Sequence, residues 1–178
     1  MKYGIYYAYW EKEWNGDYKY YIDKISKLGF DILEISCGAF SDYYTKDQEL
    51  IDIGKYAKEK GVTLTAGYGP HFNESLSSSE PNTQKQAISF WKETLRKLKL
   101  MDIHMVGGAL YGYWPVDYSK PFDKKRDLEN SIKNMKIISQ YAEEYDIMMG
   151  MEVLNRFEGY MLNTCDEALA YVEEVGSS

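Results

Sequence analysis

The chain has 178 residues, of which 44% are hydrophobic, and its formal net charge is −7. This size and composition predict a single globular domain with a substantial core. Acidic and basic residues are interspersed, with no basic stripe that would favour nucleic acid as a partner. The apolar runs are far too short to span a membrane, and residues 1–20 lack the apolar core of a signal peptide. We therefore expect a cytoplasmic protein that binds neither nucleic acid nor membranes.

Five short apolar runs alternate with amphipathic segments along the chain. In chain order, the predicted strands and the helices that follow them are 4–10 and 17–28, 30–35 and 45–61, 62–66 and 83–100, 103–110 and 127–145, and 147–154 and 164–175. Apolar residues at a spacing of three and four positions predict the helices, and glycines predict the ends of several of them. The residues predicted to face inward are Tyr21, Ile22, Ile25 and Leu28 in the first helix, and Leu50, Ile53 and Ala57 in the second. We expect Thr45 with Gln48, and Thr164 with Glu167, to form capping boxes at two helix starts.

Strands that alternate with helices predict a parallel sheet covered by helices. Two architectures compete at this point. A doubly wound sheet is complete within 178 residues, whereas a (β/α)8 barrel usually needs about 250. The first strand is not followed by the glycine-rich phosphate fingerprint of dinucleotide-binding sheets, which weakens the doubly wound alternative.

The most informative position is Glu152, a carboxylate in an otherwise apolar run. Burying a carboxylate is costly unless it is paired, protonated or bound to a metal. Sites in parallel α/β folds lie at the carboxyl ends of the strands, which favours a functional role. A structural ion pair with Arg156 is an equally good explanation.

Two other strand ends carry glycines and aromatic residues. Gly107 and Gly108 precede a loop that contains Trp114, which could form a pocket wall, although ordinary loop packing is the better explanation of this pattern by itself. Residues 67–70 end the third strand in the same way, and the loop after them looks polar and mobile.

Nucleophilic catalysis by serine or cysteine is poorly supported. Cys37 and Cys165 lie far apart in sequence, which predicts reduced thiols and no disulfide in a cytoplasmic protein. His71 and His104 have no obvious nucleophile as a partner, and no Cys/His spacing indicates zinc.

Several segments together resemble the D-tagatose 3-epimerases and D-allulose (D-psicose) 3-epimerases. The resemblance covers the whole chain in order, and the run from Glu152 to Glu158 is its most specific part. The other segments are Met1–Trp10 with Glu13-Trp14, Lys27–Glu34, Leu64–Pro70, Gly107–Leu110 and Tyr113-Trp114-Pro115.

The resemblance implies a TIM barrel, of which residues 1–178 form one partial domain with the first five βα units. It implies an isomerase of carbohydrate metabolism that inverts C3 of a ketose with the help of Mn²⁺ or Co²⁺. Glu152 matches a residue that is both metal ligand and catalytic acid/base, and Glu158 matches a residue that hydrogen-bonds the sugar near O1 and O2. The positions that match pocket-lining residues are Tyr6, Trp14, Gly67, Ala109 and Trp114.

The family holds its metal with four side chains, and only Glu152 of the four matches a position in this chain. The Asp, His and second Glu belong to later strands, so we expect the chain alone to be inactive. The resemblance also implies that the complete enzyme forms dimers or tetramers. Two alternatives remain: another sugar-isomerase-like barrel, such as a hydroxypyruvate isomerase or inosose dehydratase, or a non-catalytic binding or assembly module. The charge disfavours a DNA-repair endonuclease.

Overall fold

Five strands and six α-helices alternate in a computed structural model that describes residues 1–177, apart from the side chains of residues 41 and 42. The strands are β1 Gly4–Tyr6, β2 Ile32–Ser36, β3 Thr63–Gly67, β4 Met105–Gly108 and β5 Met148–Met151. The α-helices are α1 Tyr18–Leu28, α2 Ala39–Asp42, α3 Asp47–Glu59, α4 Pro81–Leu100, α5 Lys124–Tyr145 and α6 Cys165–Val175. Short 3-10 helices lie at Tyr7–Trp10 and Phe72–Glu74.

The strands form one sheet whose order, β1-β2-β3-β4-β5, is the order of the chain. β1 pairs with β2, and β2 with β3, in parallel register. Helices connect the successive strands, as parallel pairing requires. The predicted α/β class is confirmed. No helix within residues 1–177 is both long and apolar enough to cross a membrane.

The chain divides into two compact units. The first unit comprises residues 1–67 and 96–106, and the second comprises 68–95 and 107–178. β4 contributes Met105 and Val106 to the first unit and Gly107 and Gly108 to the second.

The core of the first unit lies between its strands and the apolar faces of α1 and α3. α1 begins after Asp17, whose side chain caps the helix, and ends at Gly29 in the left-handed conformation that the sequence predicts. The predicted inner face of α3 is confirmed. The main buried residues are Tyr7, Tyr18, Ile22, Ile25, Leu33, Ile35, Leu50, Ile53, Ala57 and Leu64.

The core of the second unit is more polar. α5 buries Asp127, Ser131 and Asn134 together with apolar residues, and each of these polar side chains has a hydrogen-bond partner. α6 begins after Thr164, whose side chain accepts a hydrogen bond from the backbone N–H of Glu167. The carboxylate of Glu167 accepts from Asn163 N, and Thr164 is the N-cap at the predicted position.

Several local predictions are wrong. The first strand stops at Tyr6, and residues 7–10 form a 3-10 helix. The N-cap of α3 is Lys46 and makes no side-chain cap bond, so the predicted capping box at Thr45 does not form. Leu28, predicted to face inward, is 59% exposed. Sequence analysis also missed α2.

The loop after β3, which the sequence indicates to be polar, buries some of its polar side chains. Ser75 and Ser77 are buried, and their hydroxyls hydrogen-bond each other over 2.8 Å. Asn134 of α5 donates to the backbone oxygen of Leu76 over 2.8 Å. The buried polar groups of this segment are therefore satisfied by hydrogen bonds within the loop and from α5.

Candidate functional site

The predicted site residues all lie at or just after the carboxyl ends of strands. In the first unit, Tyr6 ends β1, Trp14 follows it and Gly67 ends β3. The four site residues of the second unit are Ala109 and Trp114 after β4, and Glu152 and Glu158 after β5.

Tyr6 and Trp14 form an aromatic pair in the first unit. Their ring centroids are 6.2 Å apart with 37° between the planes. Trp14 exposes 58% of its surface, whereas Tyr6 is half-buried. Burial raises the pKa of Tyr6 above its ordinary value.

Glu34 is a polar residue of this unit to which sequence analysis assigned no role. It pairs with Tyr6 on β1 and with Thr65 on β3, and in-register neighbours share one face of a sheet. The alternation of Glu34 with buried Leu33 and Ile35 was the available signal.

Gly67 lies close to the Glu34 carboxylate. A Cβ on Gly67 would come within 2.9 Å of Glu34 Oε1, so a larger residue would displace this carboxylate. Tyr6, Glu34 and Gly67 thus belong to one polar face of the sheet in the first unit.

Glu152 directly follows β5, and its main chain is fixed on both sides. Its N–H donates to Gly108 O over 3.0 Å, and the buried Tyr111 hydroxyl donates to its carbonyl over 2.9 Å. The Glu152 side chain is exposed. Within residues 1–177, no ion pair within 4.0 Å joins Glu152 to Arg156. This removes the structural ion pair as an explanation for Glu152.

Gly108 brings the end of β4 close to the backbone of Tyr68. Gly108 has φ +131°, and a Cβ there would lie 2.2 Å from the carbonyl oxygen of Tyr68. The N–H of Tyr68 donates to Gly107 O over 2.9 Å. Ala109 is buried and lines a small apolar cavity together with Tyr111, Gly112, Tyr113, Val116, Leu154, Gly159, Tyr160 and Met161.

Trp114 is held by the loop that follows β3. Its N–H donates to Pro70 O over 2.8 Å. A Cβ on Gly69 would approach Trp114 Cβ to 3.0 Å, so Gly69 leaves room for the tryptophan. In the same pair of loops, the rings of Phe72 and Tyr113 meet edge to face at 5.2 Å.

Glu158 lies exposed in the loop between β5 and α6. The side-chain amide of Asn155 donates to its Oε2 over 2.5 Å. Glu152 and Glu158 are therefore two exposed carboxylates on one loop, one at its start and one at its turn.

The cysteines and histidines do not form a catalytic pair. Both cysteines are free, as predicted. Cys37 is fully buried, and burial raises the pKa of its thiol, which suppresses the nucleophilic thiolate. The side chain of His104 contacts Asp102 at 3.3 Å on the surface.

The side chains that the structure describes include no group of three or more His, Cys, Asp or Glu that could hold a metal ion. Catalytic metal sites generally need about three protein ligands. Glu152 is suited to be one such ligand because it is exposed and held by its backbone, but the described residues do not complete a site.

The repeated βα units, whose strands follow the order of the chain, and the site residues at the strand ends are typical of an α/β protein of the barrel class. A family model described as xylose isomerase-like TIM barrel matches residues 22–178. The chain belongs to this family.

The chain is similar along its whole length to D-psicose 3-epimerases. It is 57% identical to the one from Enterocloster bolteae over 178 residues, which are 100% of this chain and 59% of that protein. A solved D-psicose 3-epimerase with D-tagatose from Clostridium cellulolyticum H10 has a TM-score of 0.96 and 46% identity, over 99% of this chain and 60% of that one. Another, solved in the presence of D-fructose, has a TM-score of 0.96 and 43% identity, over 100% and 61%. The chain thus spans about three-fifths of the length of these relatives.

Proposed function

We propose that this chain supplies the first five βα units, and the first catalytic carboxylate, of a ketose 3-epimerase. The observation that carries the proposal is Glu152: an exposed carboxylate at the end of β5, fixed by its backbone and free of an ion pair with Arg156. Similarity to D-psicose 3-epimerases across the whole chain supports it.

In this reaction the proton on C3 is acidic because it lies next to the C2 carbonyl. The proposed role of Glu152 is to accept this proton: the C3–H bond breaks, its electrons move toward C2, and an enediolate forms. A second acid, proposed to come from a later βα unit, returns a proton to the opposite face of C3 and inverts it. Glu158 is proposed to accept hydrogen bonds from sugar hydroxyls near O1 and O2.

The aromatic residues complete the proposed role of the chain. Tyr6, Trp14 and Trp114 are proposed to contact the sugar, and a dry aromatic wall would protect the enediolate from side reactions. Gly67 and Ala109 are proposed to line the site where small residues let the sugar approach the backbone.

A divalent metal, Mn²⁺ or Co²⁺, belongs to the proposal, with Glu152 as one ligand. The described residues do not form a metal site by themselves, so the chemistry proposed for this chain rests on its own carboxylates and aromatic rings. The two free cysteines fit a reducing compartment such as the cytoplasm. We also propose that the complete enzyme assembles as a homo-oligomer, a dimer or a tetramer.

A chimera tests the proposal. The 178-residue chain is fused to the remaining part of the Enterocloster bolteae relative, which supplies the later units. We expect the chimera, with added Mn²⁺, to convert D-fructose to D-psicose, and the 178-residue chain alone to show no turnover. The relative itself is the positive control.

Three outcomes would contradict the proposal. A chimera that melts cooperatively but converts no ketose would exclude the epimerase role. Conversion of hydroxypyruvate or an inosose in place of ketoses would favour the other sugar-isomerase-like barrels. Turnover by the 178-residue chain alone would refute its dependence on further units.

A further inference from the structure

Asn155 holds both the backbone and the carboxylate of Glu158. Its Nδ2 donates to Glu158 Oε2 over 2.5 Å. Its Oδ1 accepts the N–H groups of Phe157 at 2.9 Å and Glu158 at 3.2 Å. Its backbone carbonyl accepts the N–H of Glu158 at 3.1 Å and that of Gly159 at 3.0 Å. One asparagine therefore fixes the turn and also the direction of the Glu158 side chain.

We propose that Asn155 is a positioning residue that orients Glu158 toward its ligand, and this rests on the sugar-binding role proposed for Glu158. An amide suits this task because it donates with one atom and accepts with the other, and neither function changes with pH. Its bond to Oε2 leaves Oε1 of Glu158 able to accept from a sugar hydroxyl.

The path of the loop is set by other residues. Asn163 Nδ2 donates to Leu154 O and to Gly159 O, both over 2.8 Å, and closes the base of the loop. Leu154 N donates to Leu162 O over 3.0 Å. Because these bonds do not involve the Asn155 side chain, the contact between Asn155 and Glu158 is separable from the closure of the loop.

Two tyrosines attach the same loop to the rest of the second unit. Tyr118 donates to Arg156 O over 2.8 Å. Tyr160 donates over 2.8 Å to the carboxylate of Asp127, which is 6% exposed. The turn that carries Glu158 is thus anchored before and after the carboxylate.

The turn itself faces solvent: Phe157 is 93% exposed, and Asn155 and Glu158 are also exposed. An exposed glutamate samples many rotamers, and ordering it on binding opposes affinity. The Asn155 amide removes this freedom before the ligand arrives. The consequence for an enzyme is an effect on substrate affinity, with little effect on the chemical step.

The contact is tested first in the 178-residue chain, without any assay of activity. In ¹H–¹⁵N spectra, we expect the side-chain amide resonances of Asn155 to shift in Glu158→Ala. The matched control is Glu152→Ala, which removes the other exposed carboxylate of the loop and should leave them in place. Unchanged Asn155 resonances in Glu158→Ala, or equal shifts in both variants, would overturn the proposal.

The consequence is tested in the chimera with Asn155→Asp. This variant keeps an oxygen that accepts from Phe157 N and Glu158 N, but it places a second carboxylate against that of Glu158. We expect KM to rise about tenfold while kcat changes by less than about threefold. The control is Asn163→Asp, the same substitution in the same loop, which should lower the melting temperature and change KM less.

An unchanged KM in Asn155→Asp, or an equal rise of KM in Asn163→Asp, would contradict the proposal. Either result would show that the two asparagines only stabilise the conformation of the loop. If the unsubstituted chimera has no activity, the proposed function fails, and the spectra of the 178-residue chain still decide the contact between Asn155 and Glu158.

Discussion

The hydroxyl of Tyr111 donates a hydrogen bond of 2.9 Å to the backbone carbonyl of Glu152. Tyr111 follows β4 and Glu152 follows β5, so the bond ties two neighbouring strand ends of the second unit. Tyr111 is buried, and its backbone oxygen in turn accepts from Ser131. Glu152 is therefore held through its main chain, which leaves its carboxylate exposed.

Tyr111→Phe tests this tie. The substitution keeps the buried ring and removes one hydrogen bond, so we expect the free energy of unfolding of the 178-residue chain to fall by about 1 kcal/mol. Urea denaturation measures it. The matched control is Tyr118→Phe, because Tyr118 also donates to a loop carbonyl but is 42% exposed. An equal or larger loss in the control would argue against a special role for the buried tyrosine.

Gly108→Ala tests the close approach of β4 to Tyr68. Gly108 has φ +131°, and the added Cβ would lie 2.2 Å from Tyr68 O. We expect a loss of about 3 kcal/mol from backbone strain and overpacking. Gly61→Ala is the control: Gly61 also has a positive φ, +70°, but nothing lies within 4 Å of its added Cβ. It should lose only about 1 kcal/mol, and similar losses in the two variants would contradict the proposed clash.

Tyr7→Phe removes a buried hydroxyl that has no hydrogen-bond partner within the described part of the chain. At pH 7 we expect the free energy of unfolding to stay the same or to rise by up to about 1 kcal/mol, because an unsatisfied group is lost. Tyr18→Phe is the control: its hydroxyl donates to Ser36 O and accepts from Ser36 N, so this variant should be destabilised.

We also expect Tyr7→Phe to change how the free energy of unfolding depends on pH. Burial raises the pKa of Tyr7 to about 12 from 10.0. Below pH 10 the hydroxyl is protonated in both the folded and the unfolded state, so its ionisation takes nothing from the free energy of unfolding. Above it the unfolded tyrosine ionises first, so stability is lost as the pH rises from about 10 through 12. Urea midpoints at pH 9 and 11 should therefore fall less in Tyr7→Phe than in the unsubstituted chain, and parallel falls would contradict this.

Much of the fold could be predicted because the sequence marks the ends of its elements. The left-handed glycines at the ends of α1 and α6, Gly29 and Gly176, lie where the patterns stop. The 3-10 helix after Tyr6 could not be predicted, because an apolar aromatic run is compatible with a strand and with a packed turn. The cap of α3 was misplaced because Thr45 and Gln48 match the motif, yet the helix begins at Asp47.

The candidate site was only partly predictable. Strand-end positions such as Glu152 stand out because a carboxylate interrupts an apolar run. Pairing across strands is invisible in one sequence, so the register that places Glu34 beside Tyr6 emerged only from the structure. The bond between Asn155 and Glu158 likewise depends on a turn whose geometry no spacing rule supplies.

Proton transfer at C3 by Glu152 is the central claim, and deuterium incorporation measures it. In D₂O, we expect the chimera to convert D-fructose to D-psicose that carries deuterium at C3. Glu152→Gln should reduce both turnover and deuterium incorporation by at least about a hundredfold, while Glu129→Gln, on the exposed side of α5, should retain both. Glu152→Gln that still exchanges the C3 proton at the rate of the unsubstituted chimera would contradict the account.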